Sequence, residues 1–101
     1  MVKRVSCVEA AQLVAGGAQV VDVRDAATFA QGHAPAALNL NNQNLPQFMQ
    51  NTDPDRTLVV MCYHGHSSQG VAHFLTNQGF SNVVSVDGGF AMWQLNHPVE
   101  R

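Results

Sequence analysis

Apolar positions along this chain alternate between two periods. Three short runs rich in β-branched residues, Gln19-Val20-Val21-Asp22-Val23, Thr57-Leu58-Val59-Val60-Met61 and Asn82-Val83-Val84-Ser85-Val86, have the length and composition of buried strands. A brief fourth strand is expected after Pro35, within His33 to Leu40. Between these runs the pattern turns helical. Ser6-Cys7-Val8-Glu9 matches a capping box and predicts a helix through Ala10, Ala11, Leu13 and Val14 that stops at Gly16-Gly17. Ala26 to Gln31 predicts a helical turn closed by Gly32, and Asn44-Leu45-Pro46 predicts a cap and first turn for a short helix through Phe48 and Met49. Val71, Ala72, Phe74 and Leu75 give the apolar face of a helix from about Ser67 to Gln78, stopped by Gly79. A last amphipathic segment, Phe90 to Leu95, follows Asp87-Gly88-Gly89 and ends near Pro98.

Strands that alternate with helices argue for parallel pairing through right-handed crossovers. The expected fold is α/β, a single domain over residues 1–101, with a mainly parallel sheet of about five short strands and helices on both faces. No linker or internal repeat interrupts it.

Composition narrows the classes. With 46% hydrophobic and 12% charged residues the chain is globular, and at 101 residues it can bury a core without staples. A net charge of -2 leaves no electrostatic footprint for nucleic acid, and Lys3-Arg4 is too short a basic cluster to make one. The start of the chain lacks the apolar run of a signal peptide and no stretch is long enough to span a membrane, so a cytoplasmic location with no membrane partner is expected. Two cysteines, Cys7 and Cys62, do not make a disulfide framework, and Cys7 is expected to be a structural thiol.

Cys62 ends the central strand and opens the loop Tyr63-His64-Gly65-His66-Ser67-Ser68 before a helix. Open α/β sheets place ligands at the carboxyl ends of their strands. A loop curling from strand to helix can converge its backbone N–H groups, joined by the unpaired N–H groups of the first helical turn. A sulfur at that focus is favoured as thiolate, and the same donors would hold an anionic substrate or a persulfide. Gly65 suits a conformation or close approach that a Cβ would forbid. Ser67 or Ser68 would cap the helix or face the sulfur. The competing reading is a buried strand-end cysteine with no chemistry. Asp22 and Arg24 bracket another strand end, either paired with each other and the loop backbone or as ordinary surface charges. Phe74, Phe90 and Trp93 are expected in the core.

Val21-Asp22-Val23-Arg24-Asp25 with Phe29, then Gly32-His33-Ala34 and Ala37, the Cys62 loop, and Asp87-Gly88-Gly89-Phe90 with Trp93 together resemble the rhodanese sulfurtransferase domain over nearly the whole chain. The resemblance implies a rhodanese-like domain and a thiosulfate sulfurtransferase without a cofactor. Cys62 would take sulfur from thiosulfate as a persulfide and pass it to cyanide or to a thiol acceptor such as thioredoxin, in a ping-pong cycle. Tyr63, His64, Gly65, His66, Ser67 and Ser68 would hold the persulfide, with the Ser67 hydroxyl helping, and Asp22 and Arg24 would brace the loop. The Arg or Lys that many rhodaneses carry in this loop is absent, leaving His64 and His66 as its only titratable cations when protonated.

Three rivals follow from the same residues. A tyrosine-phosphatase-like loop needs Arg six residues after its Cys, where this chain has Ser68. His64 and His66 beside Cys62 superficially suggest zinc, but His33, His73 and His97 fall on other elements and no metal is expected. A non-catalytic or carrier module delivering sulfur to a protein partner needs no cysteine here unless it carries the persulfide itself.

Overall fold

The computed structural model describes residues 2–101, so the domain expected over 1–101 is seen without Met1. Its elements are β1 (Lys3–Val5), α1 (Cys7–Ala15), β2 (Gln19–Asp22), α2 (Ala26–Gln31), β3 (Leu38–Asn39), α3 (Leu45–Asn51), β4 (Leu58–Met61), α4 (Ser67–Asn77), β5 (Val83–Val86) and α5 (Gly89–Asn96). The five strands form one sheet in the order β1-β5-β4-β2-β3, and every neighbouring pair is parallel.

β4 is the centre of this sheet. Leu58, Val59, Val60 and Met61 are all fully buried, as a strand flanked on both edges and covered on both faces must be. Val59 and Met61 point with Val20, Val84 and Val86 into a core completed by Ala10, Phe90 and Trp93. Leu58 and Val60 point with Val21 and Val83 into a second core closed by Ala72, Leu75 and Phe80. Each fully buried aliphatic side chain contributes about 1.5–3 kcal/mol over exposure. Helices α1 and α5 thus cover one face and α3 and α4 the other.

Several local expectations are met and several are revised. Ser6 caps α1, its Oγ accepting the Glu9 amide at 3.1 Å, and Asp25 caps α2 by accepting the Thr28 amide at 3.0 Å. Asn44 sits at the start of α3 without capping it; its Oδ1 accepts the Asn41 amide and its Nδ2 donates to the Asn39 carbonyl, which closes the preceding turn instead. The fifth strand is β1, which the sequence pattern did not locate. Only Val5 of its three residues is buried, and Lys3 and Arg4 face solvent at the sheet edge, so no apolar run marks it. Phe74, expected in the core, is 41% exposed on α4, whereas Phe90 and Trp93 are buried as expected. Among the described residues no helix is long and apolar enough to cross a membrane.

Candidate active site

Cys62 directly follows β4 on the carboxyl rim of the sheet, and its side chain is buried at 5% exposure. The Gly65 amide donates to its Sγ at 3.1 Å, and the Ser68 hydroxyl lies 3.2 Å from it. Burial alone would push the thiol up. The Ser68 hydroxyl and the backbone N–H groups of Ser68, Gly65 and His64 outweigh that cost and hold Cys62 below the ordinary thiol range. Cys7 is the contrast. Half-buried, with its Sγ donating to the carbonyls of Asp87 and Gly89 at 3.8 and 3.9 Å, it is raised, first by desolvation and then by the Asp87 charge.

The N–H groups converge because the carbonyls on the other side of the loop are held elsewhere. Peptide planes are trans and place C=O and N–H on opposite sides. The Cys62 and Tyr63 carbonyls accept from the amides of Phe90 and Ala91 at 2.8 and 2.9 Å. These amides belong to the first turn of α5, which has no side-chain cap, so the loop satisfies the helix while the helix orients the loop. On the far side, the Gly65 carbonyl accepts from Gln69 Nε2 at 2.8 Å.

Two glycines make the approach of loop and helix possible. Gly65 has φ of +90, and a Cβ there would come within 2.8 Å of the Gly88 nitrogen and 2.9 Å of the Val86 carbonyl oxygen. Gly89 has φ of +55, and a Cβ would collide with the carbonyl oxygens of Cys62 and Tyr63. Asp87-Gly88-Gly89 is therefore the turn against which the loop seats.

The helix after the loop begins at Ser67 and has no side-chain cap, contrary to the expectation for Ser67 or Ser68. Consecutive helical residues point about 100° apart, so only one of the two serines can face inward. Ser68 does, fully buried against the sulfur, while Ser67, whose hydroxyl was expected there, is exposed. Tyr63, His64 and His66 are exposed on the outer rim, and the Tyr63 and His64 rings meet edge to face at 4.5 Å.

Asp22 and Arg24 are far from ordinary strand-end charges. Asp22 is fully buried and the Arg24 side chain 5% exposed, joined by a 2.7 Å contact from Nη2 and bonds from Nε at 3.0 and 3.1 Å. Arg24 Nη2 also donates to the Gly32 carbonyl at 2.8 Å, and its guanidinium lies 4.1 Å from the centre of the Phe90 ring. Phe90 is the residue whose amide holds the Cys62 carbonyl. The ion pair thus stands behind the loop, one residue removed from it. The Gly32-His33 piece has a structural use as well: His33 stacks on Phe29 and bridges its backbone to Glu100. His97 stacks on Trp93. Among the described residues, no three His, Cys, Asp or Glu side chains are grouped as a metal site would require.

Sequence reading missed one residue of this cluster, Ser85, whose hydroxyl is 2.8 Å from Ser68 Oγ. The available signal was a single polar residue inside an otherwise all-valine strand.

Known proteins resemble this chain in sequence and in fold. Residues 6–96 match the rhodanese-like domain family. The chain is 48% identical over 98 residues to the thiosulfate sulfurtransferase GlpE of Pseudomonas entomophila, covering 97% of this chain and 90% of that protein. It is 50% identical to the protein of the same name from Pseudomonas fluorescens, with coverage of 97% and 90%. Among solved structures, the rhodanese-like domain of Alr3790 from Anabaena superposes with a TM-score of 0.85 at 22% identity, covering 99% of this chain and 80% of that one. A rhodanese-related protein from Thermoplasma volcanium gives 0.83 at 24%, covering 97% of each. By sequence over nearly its whole length and by fold, this chain belongs to the rhodanese-like domain family.

Proposed function

We propose that the protein is a thiosulfate sulfurtransferase, in which Cys62 carries sulfur as a persulfide between a small donor and a nucleophilic acceptor. The observation that carries the reading is the Cys62 sulfur seated among the Gly65 amide and the Ser68 hydroxyl, with its titration lowered despite burial. The names of the relatives point the same way.

In the first half-reaction the Cys62 thiolate attacks the outer sulfur of thiosulfate. The S–S bond breaks, sulfite leaves with the electron pair, and Cys62 becomes a persulfide. In the second, cyanide attacks the terminal sulfur and thiocyanate departs as the Cys62 thiolate is restored. A dithiol acceptor such as thioredoxin would instead take the sulfur onto one thiol, close its own disulfide and release sulfide. Dividing the transfer this way replaces one hard displacement with two easier ones. The loop N–H groups from Tyr63 to Ser68 hold the terminal sulfur and, in the absence of a basic side chain, also meet the donor's negative charge. Asp22 and Arg24 hold Phe90 and, through it, the loop. A cycle that begins with a free thiolate suits a reducing compartment such as the cytoplasm.

Initial-rate kinetics with thiosulfate and cyanide test the reading. The expected outcome is a family of parallel double-reciprocal lines, with all activity lost in Cys62→Ser. Intersecting lines, or turnover that survives Cys62→Ser, would overturn it.

A further inference from the structure

Ser85 is fully buried in the middle of β5. A hydroxyl inside a parallel strand costs free energy unless it is hydrogen-bonded. It stands opposite Val60 of β4 and on the same face as Val83, beneath α4. There it meets Ser68 Oγ at 2.8 Å, and Ser68 Oγ in turn lies 3.2 Å from the Cys62 sulfur. All three groups are shielded from water.

Among the described residues, Ser68 Oγ is the one hydrogen-bond partner of the Ser85 hydroxyl. A buried O–H needs an acceptor, so the Ser85 proton points at Ser68 Oγ. That line is then taken, and the Ser68 proton must turn elsewhere. As a thiol Cys62 donates to Ser68 Oγ; once ionised its sulfur can only accept, and it is then the acceptor in reach of the Ser68 proton. We propose that Ser85 is a positioning residue for the nucleophile: by donating to Ser68 it fixes the Ser68 hydroxyl as a donor to the Cys62 thiolate and to the inner sulfur of the persulfide. Ser85 touches no reacting atom and acts only through Ser68. Aligned donors polarise one another, so both hydroxyls favour negative charge on sulfur. The inference rests on Cys62 being the reactive thiol.

The test is the pH dependence of Cys62 alkylation by iodoacetamide in the intact protein without thiosulfate, followed on the Cys62 peptide by mass so that Cys7 does not contribute. In Ser85→Ala the midpoint is expected to rise by about half a unit, the size of one modest hydrogen bond. Ser68→Ala should rise at least as far, and the double variant should match Ser68→Ala alone. Ser85→Cys, which keeps a weak donor of similar volume, should fall between wild type and Ser85→Ala, and it carries the test if Ser85→Ala does not fold. Val83→Ala, a core truncation on the same face of β5, should lower Tm without moving the midpoint. An unmoved midpoint in Ser85→Ala or Ser85→Cys, or a double variant shifted beyond Ser68→Ala, would overturn the proposal. Because no sulfur donor is present, this outcome is independent of whether thiosulfate is the substrate.

Discussion

The carbonyl oxygen of Cys62 accepts a 2.8 Å hydrogen bond from the amide of Phe90. Through that contact the backbone of the nucleophile is fixed by the first turn of α5, and the face of Phe90 is in turn held by Arg24. Two demands meet in one place: a helix start that needs acceptors, and a loop whose His64, Gly65 and Ser68 N–H groups turn toward a sulfur.

Gly65→Ala is expected to disrupt the site more than the fold. The added Cβ presses on the Gly88 nitrogen and the Val86 carbonyl oxygen in a backbone conformation that alanine disfavours. A stability loss of about 1–3 kcal/mol should accompany a drop in persulfide formation of at least about tenfold. Thermal unfolding and mass analysis after thiosulfate measure the two effects separately.

Removing Arg24 strands a fully buried carboxylate. Arg24→Ala should cost about 3–5 kcal/mol by denaturant unfolding. Arg4→Ala, which breaks a pair with Asp87 whose side chains are 57% and 50% exposed, should cost no more than about 1 kcal/mol. Arg24→Ala/Asp22→Asn should recover part of the larger loss.

Cys62 is held below the ordinary thiol range, because the Ser68 hydroxyl and loop amides outweigh desolvation. The reaction with thiosulfate should therefore gain its thiolate at lower pH than a free thiol does, and Ser68→Ala should move the rate profile upward. A depressed folded-state value also links to stability. The contribution is complete above the unfolded thiol value and is lost as pH falls through the folded one. Relative to Cys62→Ser, the wild type should gain stability as pH rises across that window, and denaturant midpoints at a series of pH values read it.

Much of this site was legible in the residues themselves. The apolar, β-branched run Leu58–Met61 reads as a buried strand, and the cysteine at its end with Gly65 and two serines beyond could be placed at a strand-to-helix loop. The Asp87-Gly88-Gly89 turn was visible as a turn, but its partner was not, because the contact joins positions far apart in the chain. Which serine faces the sulfur depends on the helical phase at α4, and a start one residue earlier or later exchanges Ser67 and Ser68. Phe74 was misplaced for the same reason: helical spacing groups it with Val71 and Leu75 but does not say where the buried face ends. β1 escaped because an exposed edge strand of Lys3, Arg4 and Val5 has no hydrophobic signature, and Ser85 because one serine does not alter a strand assignment.

In the proposed cycle Cys62 itself carries the transferred sulfur. Intact-mass analysis of the reduced protein after incubation with thiosulfate, beside Cys62→Ser, reads that sulfur as mass. The wild type should gain one sulfur atom, reversed by cyanide and absent in Cys62→Ser. A folded wild type with a free Cys62 thiol that gains no mass, or a gain that persists in Cys62→Ser, would contradict it.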